Sequence, residues 1–308
     1  MRDDALRSLI GNIEKVIVGK TETVKLLIVG LLTNGHILIE DVPGVGKTML
    51  TMALAKSINA DFKRIQFTPD LLPSDVTGGF VYNPKSGEFE LKKGPVFSNI
   101  IVADEINRTT PRTQSALLEC MQEYRVTLDG TVLTLPLPFM VVATENPIEF
   151  QGTYPLPEAQ IDRFLMKISM GYISLNEEVR VVSEQKQGHP IDKLMPVAEI
   201  GKVQELQKVV SNIETSEHVL RYMVNLVAAT RKKEEVKLGA SPRASIALMK
   251  ASCAWALLEG RDYVIPDDVV KLLPYILRHR LILQPKAMIS GQAVDSVISE
   301  LIKDTPIP

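Results

Sequence analysis

The first half of the chain alternates between two patterns of hydrophobic and polar positions. Short apolar runs rich in β-branched residues, as expected for buried strands, are separated by longer stretches with the composition of helices. Parallel strands need crossover connections, and right-handed βαβ units supply them, so this alternation predicts an α/β domain with a parallel sheet. The predicted strands are residues 37–40, 64–67, 100–103 and 140–144, and two of the predicted helices are residues 48–60 and 111–123.

The second half of the chain has a different pattern. From about residue 175 the β-branched runs disappear, and the stretches 219–231 and 242–259 carry apolar residues at helical spacing. We therefore predict that a smaller all-helical domain follows the α/β domain. The boundary is expected within residues 171–176, which divides the chain into residues 1–173 and residues 174–308.

Two β-hairpins are predicted to interrupt the α/β pattern. In the first, residues 79–82 and 88–91 flank a loop rich in turn-forming residues. In the second, residues 126–128 and 131–133 flank Asp129-Gly130, a pair suited to the positive φ angles of a type I′ turn. Neither a low-complexity tract nor an internal repeat accompanies them.

The composition is that of an ordinary globular protein. Hydrophobic residues make up 45% and charged residues 23% of the 308 residues, enough for the core of one large or two ordinary domains. The formal net charge of −2 differs from the strongly basic balance of a dedicated nucleic-acid binder. No apolar run approaches the roughly 18 residues of a membrane span, and the acidic first residues lack the apolar segment of a signal peptide. A cytoplasmic location is therefore expected.

The cysteines and histidines form no recognisable site in the sequence. Cys120 and Cys253 have no partners at the spacing of a metal or redox motif, which excludes a disulfide framework. The histidines are widely separated, so each is expected to be structural or solvated rather than a metal ligand. They are His36, His189, His218 and His279.

A glycine-rich segment follows the first predicted strand and leads directly into a predicted helix. Gly44 and Gly46 allow backbone N–H groups to curl around phosphate oxygens, and the N-terminus of the following helix favours negative charge. Lys47 can reach the β- and γ-phosphates of a nucleotide, and the Thr48 hydroxyl can ligate Mg²⁺. The strict P-loop pattern has glycine where this chain has Asp41, a residue that tolerates the left-handed conformation of such a turn. The alternative is a glycine-rich turn before an ordinary helix with an exposed lysine.

Two acidic residues follow the predicted strand 100–103. Asp104 and Glu105 are therefore expected at the carboxyl end of a buried parallel strand, where open α/β sheets bind their ligands. Beside a phosphate-binding loop, Asp104 can hold Mg²⁺ and Glu105 can polarise the water that attacks the γ-phosphate. Without such a loop, the pair would be better interpreted as a solvated strand end in which one acid caps the next helix.

Three further polar residues are candidates for the same chemistry. Asn146 follows the predicted strand 140–144 and can orient the attacking water, although an Asn before Pro is also a common turn former. Arg163 and Arg243 can each stabilise charge on the γ-phosphate, as arginines do in phosphoryl transfer. Each arginine can equally be one partner of a surface salt bridge.

These residues, in this order, resemble the MoxR family of AAA+ ATPases over nearly the whole chain. A P-loop alone occurs in many unrelated proteins, whereas the segments 103–108, 156–160 and 239–243 together are far more specific. The resemblance implies the AAA+ fold, in which an α/β P-loop domain with a parallel sheet precedes a smaller all-helical lid. The matching segments are residues 16–19, 41–48, 70–78, 94–97, 103–108, 143–147, 156–164 and 239–243.

The resemblance also implies that the cofactors are ATP and Mg²⁺. Thr48 and Asp104 are the implied metal ligands, and Val18 and Gly19 lie in the stretch expected near the adenine. Asp is common or tolerated in the family at the position of Asp41. The implied nucleotide-binding residues of the Walker A segment are Pro43, Gly44, Val45, Gly46, Lys47, Thr48 and Met49.

The remaining candidates take catalytic roles by the same resemblance. Asp104 and Glu105 correspond to the Walker B acids, and Asn146 corresponds to sensor 1. Arg163 corresponds to the arginine finger and Arg243 to sensor 2. The implied reaction is the hydrolysis of ATP to ADP and phosphate.

The resemblance further implies a ring, expected to be a hexamer, in which neighbouring subunits share each ATP site. Arg163 is then expected to reach a neighbour's ATP, with Arg108 or Arg112 as the alternative contact, and Arg243 can act in its own subunit or the next. The first hairpin resembles the insert within helix 2, and the second resembles the hairpin before sensor 1. These features group the family with magnesium chelatase and MCM-type ATPases. We predict that both hairpins form the surface that meets a partner or client.

The leading interpretation is a chaperone-like ATPase that remodels or matures protein clients, or assembles their metal cofactors, with a von Willebrand factor A domain protein as partner. One alternative is a nucleic-acid motor like the MCM relatives. The second hairpin carries no lysine or arginine after Arg125, whereas a hairpin that follows a phosphate backbone needs positive charge. Nucleic acid is therefore not the expected partner. The other alternative is a nucleotide-gated binding module with negligible hydrolysis.

Overall fold

The apolar runs of the first half form one parallel sheet, as predicted. The computed structural model describes residues 2–147, 153–186 and 188–307. All four predicted strands are present in the main sheet, with small shifts at their ends. The strands in the described ranges are β1 (Ile37–Glu40), β2 (Phe62–Gln66), β3 (Gly78–Asn83), β4 (Glu88–Lys93), β5 (Ile100–Asp104), β6 (Arg125–Leu128), β7 (Thr131–Thr134), β8 (Met140–Glu145), β9 (Met166–Ile168), β10 (Val236–Leu238) and β11 (Ile282–Leu283).

The main sheet has the strand order β2-β5-β8-β1-β9, and all its pairings are parallel. Both faces of the sheet are covered, because Ile37 and Ile39 of β1 pack into one core and Leu38 packs into another. The inner strands are therefore continuous apolar runs. Since the strands are parallel, the carboxyl ends of β1, β5 and β8 meet at one edge. Strand β9 escaped prediction because three residues show no recognisable period.

Helices connect the strands of the sheet and make up most of the second half. The predicted helix 111–123 is present without any shift, and the predicted helix 48–60 is present from Lys47 to Ser57. The helices in the described ranges are α1 (Arg2–Glu14), α2 (Thr21–Leu32), α3 (Lys47–Ser57), α4 (Pro73–Thr77), α5 (Pro111–Glu123), α6 (Glu158–Ile161), α7 (Leu175–Gln185), α8 (Ile200–Val210), α9 (Glu217–Ala229), α10 (Pro242–Leu258), α11 (Pro266–Leu277), α12 (Pro285–Ile289) and α13 (Val294–Asp304).

The region after β9 is a helical lid, as predicted, apart from one short antiparallel strand pair. β10 and β11 contain three and two residues, too few to show the alternation that identifies a strand in sequence. Helices α8 to α11 share one hydrophobic core with α1 to α3, and Trp255 on α10 is 2% exposed within it. The last main-sheet strand ends at Ile168 and α7 begins at Leu175. The exact division between residues 173 and 174 stays a prediction.

Both predicted hairpins are present, and both expose apolar side chains. In the β6–β7 hairpin, Asp129 and Gly130 have φ angles of 47° and 81°, as a type I′ turn requires. In the β3–β4 hairpin, Tyr82 and Phe89 lie opposite each other with ring centroids 5.6 Å apart. Their exposed fractions are 53% and 69%, and that of Val132 on β7 is 55%.

The buried cysteines and the buried His36 have structural roles. Cys120 and Cys253 are free and buried, and burial raises the pKa of the Cys120 thiol to about 12. His36 Nδ1 accepts the Val141 N–H at 3.0 Å and Nε2 donates to the Met121 carbonyl at 2.8 Å, while burial lowers its pKa to about 4. The described residues contain no group of three or more His, Cys, Asp or Glu that could hold a metal ion. Within the same ranges, no helix is long and apolar enough to cross a membrane.

Candidate functional site

One cavity at the carboxyl edge of the main sheet brings together residues from the ends of β1, β5 and β8. Its volume is about 330 Å³. Three of the lining residues, Arg64, Gln66 and Thr144, were not among the site residues predicted from the sequence. The lining residues that were predicted are Pro43, Gly44, Gly46, Lys47, Thr48, Met49, Asp104, Glu105 and Asn146.

The loop between β1 and α3 has a conformation suited to phosphate binding. Gly44 and Gly46 have φ angles of 87° and 92°, a region in which residues with a Cβ are strained. A Cβ at either glycine would meet no atom within 4 Å, so the backbone angle rather than space selects glycine. Helix α3 begins at Lys47 with Gly46 as its N-cap. The unpaired N–H groups and the positive dipole of its first turn therefore face the cavity.

The ammonium group of Lys47 contacts two main-chain carbonyl oxygens beside this loop. Nζ donates to the Asp41 carbonyl at 2.5 Å and lies 3.5 Å from the Glu145 carbonyl oxygen. Burial lowers the pKa of Lys47, and the nearby carboxylates, with Asp41 first, oppose that shift. Lys47 is thus a partly buried cation held between the ends of β1 and β8, at the place where phosphate oxygens would meet the loop.

Asp41 fits the loop for a different reason from the one inferred from the sequence. The positive φ angles of the loop are confined to Gly44 and Gly46, so the left-handed interpretation of Asp41 is wrong. Its Oδ2 accepts two main-chain N–H groups and one hydroxyl from residues 169–171, at 2.6, 2.6 and 3.0 Å. Burial raises the pKa of this carboxyl, but the hydrogen bonds outweigh burial and hold the pKa below its usual range. Asp41 therefore ties the loop to the segment that follows β9.

Thr144 on β8 fixes both acids at the end of β5. Its hydroxyl donates to Asp104 Oδ1 at 2.8 Å and accepts the Glu105 N–H at 2.9 Å. Glu105 has a φ of 57°, a conformation that is uncommon outside glycine and that often marks functional sites. This turn leads the chain out of β5 with the Glu105 carboxylate against the cavity.

Two side chains of β2 hold the same acids from the other side. Arg64 Nε donates to Asp104 Oδ2 at 2.8 Å, and Gln66 Nε2 donates to Glu105 Oε2 at 2.8 Å. Arg64 and Gln66 share one face of β2 because they are two residues apart. This spacing is visible in the sequence. Only the strand order places β2 beside β5, with Gln66 in register with Asp104.

The oxygen ligands of the cavity fit a magnesium ion that is shared with a nucleotide. Thr48 Oγ1 lies 3.4 Å from Asp104 Oδ2, and neighbouring ligands of an octahedral Mg²⁺ are roughly 3 Å apart. One hydroxyl and one carboxylate are too few for a protein-only site, but Mg²⁺ usually completes its coordination with phosphates and water. Arg64 pairs with the same Asp104 oxygen at 2.8 Å, so a metal held by Asp104 would compete with this guanidinium for it.

Arg163 and Arg243 do not line the cavity. Arg163 Nη1 donates to the Leu118 carbonyl at 2.7 Å, and its Nε is buried without a hydrogen-bond partner among the described residues. Arg163 lines a second cleft of about 300 Å³ beside α5. Arg243 is exposed in the first turn of α10. Of the alternative arginines, Arg108 pairs with Glu105 at 3.1 Å, and Arg112 is exposed at the start of α5.

The remaining candidates, Val18, Gly19 and Val45, also lie outside the cavity lining. Val18 is buried, and Val45 packs against the core that contains α1 to α3. Gly19 has a φ of 72°, and a Cβ there would meet only the end of the flexible Glu177 side chain, so the backbone angle rather than space favours glycine. A role near the adenine stays a prediction for Val18 and Gly19.

The fold and the site define an ATPase of the AAA class, and matches to known protein families support this assignment. Residues 36–166 match the ATPase family associated with various cellular activities (AAA), and residues 228–301 match the AAA lid domain. A domain of this family implies nucleotide binding with Mg²⁺. The two matches correspond to the region of the main sheet and to the helical lid.

Comparison with individual proteins identifies the family within the AAA class. The uncharacterised protein YeaC of Bacillus subtilis is 54% identical over 98% of this chain and 95% of its own length. Chaperone MoxR1 of Mycobacterium tuberculosis is 42% identical over 98% of this chain and 82% of its own length. A crystal structure assigned as an ATPase of Cytophaga hutchinsonii is 41% identical, covers 100% of this chain and 96% of that one, and superposes with a TM-score of 0.94. The chain belongs to the MoxR family of AAA+ ATPases.

Proposed function

We propose that this protein hydrolyses ATP in a ring of subunits and uses the free energy to remodel or mature protein clients. The observation that carries the proposal is the convergence of Lys47, Thr48, Asp104, Glu105 and Asn146 on one cavity. A cation, two oxygen ligands for a metal, a base and an amide are the groups that phosphoryl transfer uses. The name of the relative Chaperone MoxR1 supports the chaperone part of the proposal.

Each side chain of the cavity has one task in this proposal. Lys47 leaves the main-chain carbonyls and binds the β- and γ-phosphates. Thr48 and Asp104 hold Mg²⁺, which supplies positive charge to the phosphate oxygens when bound. Glu105 accepts the proton of the attacking water, and Asn146 orients that water.

The surroundings of Arg163 support an ATP site that is shared between subunits. Arg163 lies outside the cavity of its own subunit, and its buried Nε has no partner among the described residues. Nη1 already donates to the Leu118 carbonyl, whereas a buried donor left unpaired is costly, so Nε is the donor that an anion would satisfy. The γ-phosphate of a neighbouring subunit is such an anion, which makes Arg163 the arginine finger of a ring that we expect to be a hexamer. Arg108 suits this role less because it pairs with Glu105 of its own chain.

The sensor 2 role is proposed for Arg243. Its side chain is exposed in the first turn of α10, so a bound anion can have access to it. Both the ATP of its own subunit and that of the next subunit are compatible with this position. The lid that carries Arg243 would then report the nucleotide state.

The two hairpins are the proposed surface for a client or for a von Willebrand factor A domain partner. Tyr82 and Phe89 on the β3–β4 hairpin and Val132 on the β6–β7 hairpin are more than half exposed. Arg125, at the base of the second hairpin, is paired with Glu123 at 2.7 Å. Exposed apolar groups with little free positive charge on the β6–β7 hairpin suit a protein surface better than a phosphate backbone.

The β6–β7 hairpin yields a direct test of this surface. Val132→Ser removes an exposed apolar side chain that does not line the ATP cavity, so basal ATP turnover should stay within about twofold while client or partner binding weakens roughly tenfold. Leu133 is not suitable for this test because it packs against the second core. Val224→Ser is the matched control, since Val224 is 52% exposed on the lid and Val132 is 55% exposed. A collapse of basal turnover in Val132→Ser would show that the hairpin is structural.

The phosphate-binding loop is tested by Lys47→Ala. The substitution removes the charge that meets the β- and γ-phosphates, so ATP affinity should fall by about 10- to 100-fold, as for the loss of a charge-assisted hydrogen bond. The measurement is a titration with a fluorescent ATP analogue. Lys63→Ala, an exposed lysine on β2, is the control and should leave affinity unchanged. Unchanged affinity in Lys47→Ala would reject the assignment of the loop.

The proposed activity is tested by turnover with Mg-ATP in the presence and absence of DNA. A remodelling ATPase should hydrolyse ATP without DNA and respond to a protein client instead. Strong stimulation by DNA would favour the nucleic-acid motor. Tight ATP binding with negligible turnover under all conditions would favour the nucleotide-gated binding module.

A further inference from the structure

Arg280 is a buried arginine of the lid that lies just after α11 and outside the ATP cavity. It is 7% exposed. Its guanidinium donates to Asp162 Oδ1 at 2.7 Å, to the Phe164 carbonyl at 2.7 Å and to the Leu165 carbonyl at 3.1 Å. A buried charge needs such partners, because an unpaired one is strongly destabilising. These acceptors, together with the Asp162 carbonyl at 3.2 Å, belong to residues 162–165, the segment that contains Arg163, while the Ile276 carbonyl at 2.6 Å holds the guanidinium to α11.

Two other parts of the lid hold the same segment. Ser241 is the N-cap of α10, and its hydroxyl donates to Asp162 Oδ2 at 3.1 Å. His279 Nε2 lies 3.2 Å from the Phe164 carbonyl oxygen. The lid therefore contacts the residue before Arg163 and the residue after it.

The main chain at Arg163 is held in place together with these neighbours. Its N–H donates to the Gln160 carbonyl at 3.1 Å, and the side chain of Phe164 is fully buried in the second core. The Arg163 side chain extends away from the lid toward α5, where Nη1 reaches the Leu118 carbonyl at 2.7 Å. A shift of residues 162–165 therefore moves the guanidinium of Arg163 with it.

The Arg280 contacts are better explained by positioning than by stability. Replacing a buried ion pair by apolar residues of similar volume is often neutral or stabilising, so such a pair is weak evidence for a stabilising role. Here the guanidinium joins one carboxylate and main-chain carbonyls across the contact between the lid and residues 162–165, which precede β9. Those directional contacts fix the position of one segment relative to the lid.

We propose that Arg280 is a positioning residue that couples the lid of one subunit to the arginine which that subunit supplies to its neighbour. The proposal rests on the proposed role of Arg163 as an arginine that acts in trans. A displacement of about 1 Å at a reacting group is enough to change a rate by roughly 100-fold. A lid movement transmitted through Arg280 to Arg163 can thus switch hydrolysis in the next subunit of the ring.

Mixed rings allow the direction of this coupling to be measured. In the reference mixture, Arg163→Ala subunits keep an intact Lys47, and Lys47→Ala subunits keep an intact Arg163. Only an interface between the two kinds of subunit forms a complete site. Arg280→Lys, which keeps the charge but not the planar fork of donors, is then added to one kind of subunit at a time.

The two placements of Arg280→Lys differ only in the subunit that carries it. In the Lys47→Ala subunit it lies beside the arginine that is used, and turnover should fall about tenfold below the reference, with KM for ATP unchanged within about twofold. In the Arg163→Ala subunit, position 163 is already alanine, so Arg280→Lys has no arginine to displace. Turnover should then stay within about twofold of the reference. Any general loss of folding or assembly affects both mixtures alike, since each contains the same share of Arg280→Lys subunits.

The outcomes separate this proposal from the shared-site model. Equal turnover in the two placements, or a larger fall with Arg280→Lys in the Arg163→Ala subunit, overturns the positioning role while the shared site stands. An inactive reference mixture of co-assembled subunits overturns both. If Arg280→Lys subunits do not assemble, Asp162→Asn replaces them in the same two placements. It keeps the shape of the side chain but removes the charge that pairs with Arg280 and one of the two oxygens that accept from Arg280 and Ser241.

Discussion

Arg163→Ala is expected to lower ATP turnover by about 10³- to 10⁵-fold while ATP affinity changes only a few-fold. A guanidinium supplied to the γ-phosphate stabilises charge that is largest in the transition state. Removing the guanidinium therefore lowers turnover far more than it lowers ATP affinity. The measurement pairs phosphate release under saturating Mg-ATP with a titration of a fluorescent ATP analogue. Arg112→Ala is the matched control, because Arg112 is the exposed alternative at the start of α5.

The same variant tests whether the site is shared between subunits. Mixing Arg163→Ala with Lys47→Ala subunits should restore part of the activity that neither variant has alone. Turnover of the unaltered protein should also rise more steeply than linearly with protein concentration, because an isolated subunit contains only part of a site. Three results contradict the model: full turnover by monomers, an inactive mixture of co-assembled subunits, or a loss that follows Arg112→Ala instead.

Glu105→Gln is expected to remove hydrolysis by about 10²- to 10⁴-fold and to leave ATP and Mg²⁺ binding intact. The amide keeps the shape of the carboxylate but cannot accept the proton of the attacking water. Gln66 and Arg108 both contact Glu105 Oε2, at 2.8 and 3.1 Å, and the amide oxygen of Gln can still accept from them. The expected variant is therefore a folded protein that traps ATP.

Binding and turnover have to be measured together to interpret Glu105→Gln. If ATP binding is lost with turnover, Glu105 is part of the structure of the cavity and not the base. Glu205→Gln serves as control, because Glu205 is an exposed carboxylate on α8 that pairs with Lys202 at 2.8 Å. It should change neither quantity.

Most of the fold follows from local sequence patterns. The strands and helices that were predicted are those whose apolar spacing is set by their own residues, such as β5, β8 and α5. The elements that escaped prediction are short: β9 has three residues, and the β10–β11 pair has three and two. β9 forms beside β1 of the main sheet, and β10 and β11 form only with each other, where the fold of the lid brings them together.

The residues of the site also fall into two groups: those recognisable from local sequence and those whose role depends on the tertiary structure. The loop glycines, Lys47, Thr48, Asp104, Glu105 and Asn146 were recognisable because each lies within a few residues of a predicted strand end. Thr144 carries no signal of its own that separates it from an ordinary strand residue. Its hydroxyl gains a role only because β5 and β8 are neighbours, which brings it within 2.8 Å of Asp104 Oδ1.

For Asp41, the sequence predicted the position in the loop correctly but the structural role incorrectly. Its place in the loop was evident from the sequence, and a left-handed conformation was the local explanation for its occurrence there. The structure instead uses its carboxylate to accept hydrogen bonds from residues 169–171, about 130 positions away along the chain. Contacts at that separation follow from the path of β1 beside β9 and leave no trace in local spacing.

The sequence by itself determined the class of fold, the loop and acids of the ATP cavity, and the membership of an ATPase family, because each depends on short segments with their own pattern. Only the tertiary structure decided that Arg64 and Gln66 hold the acids and that Arg163 lies outside its own cavity. It also decided that Arg280 joins the lid to the segment around Arg163. The physical reason is that these polar contacts are made across strand order and domain packing, which no local periodicity encodes.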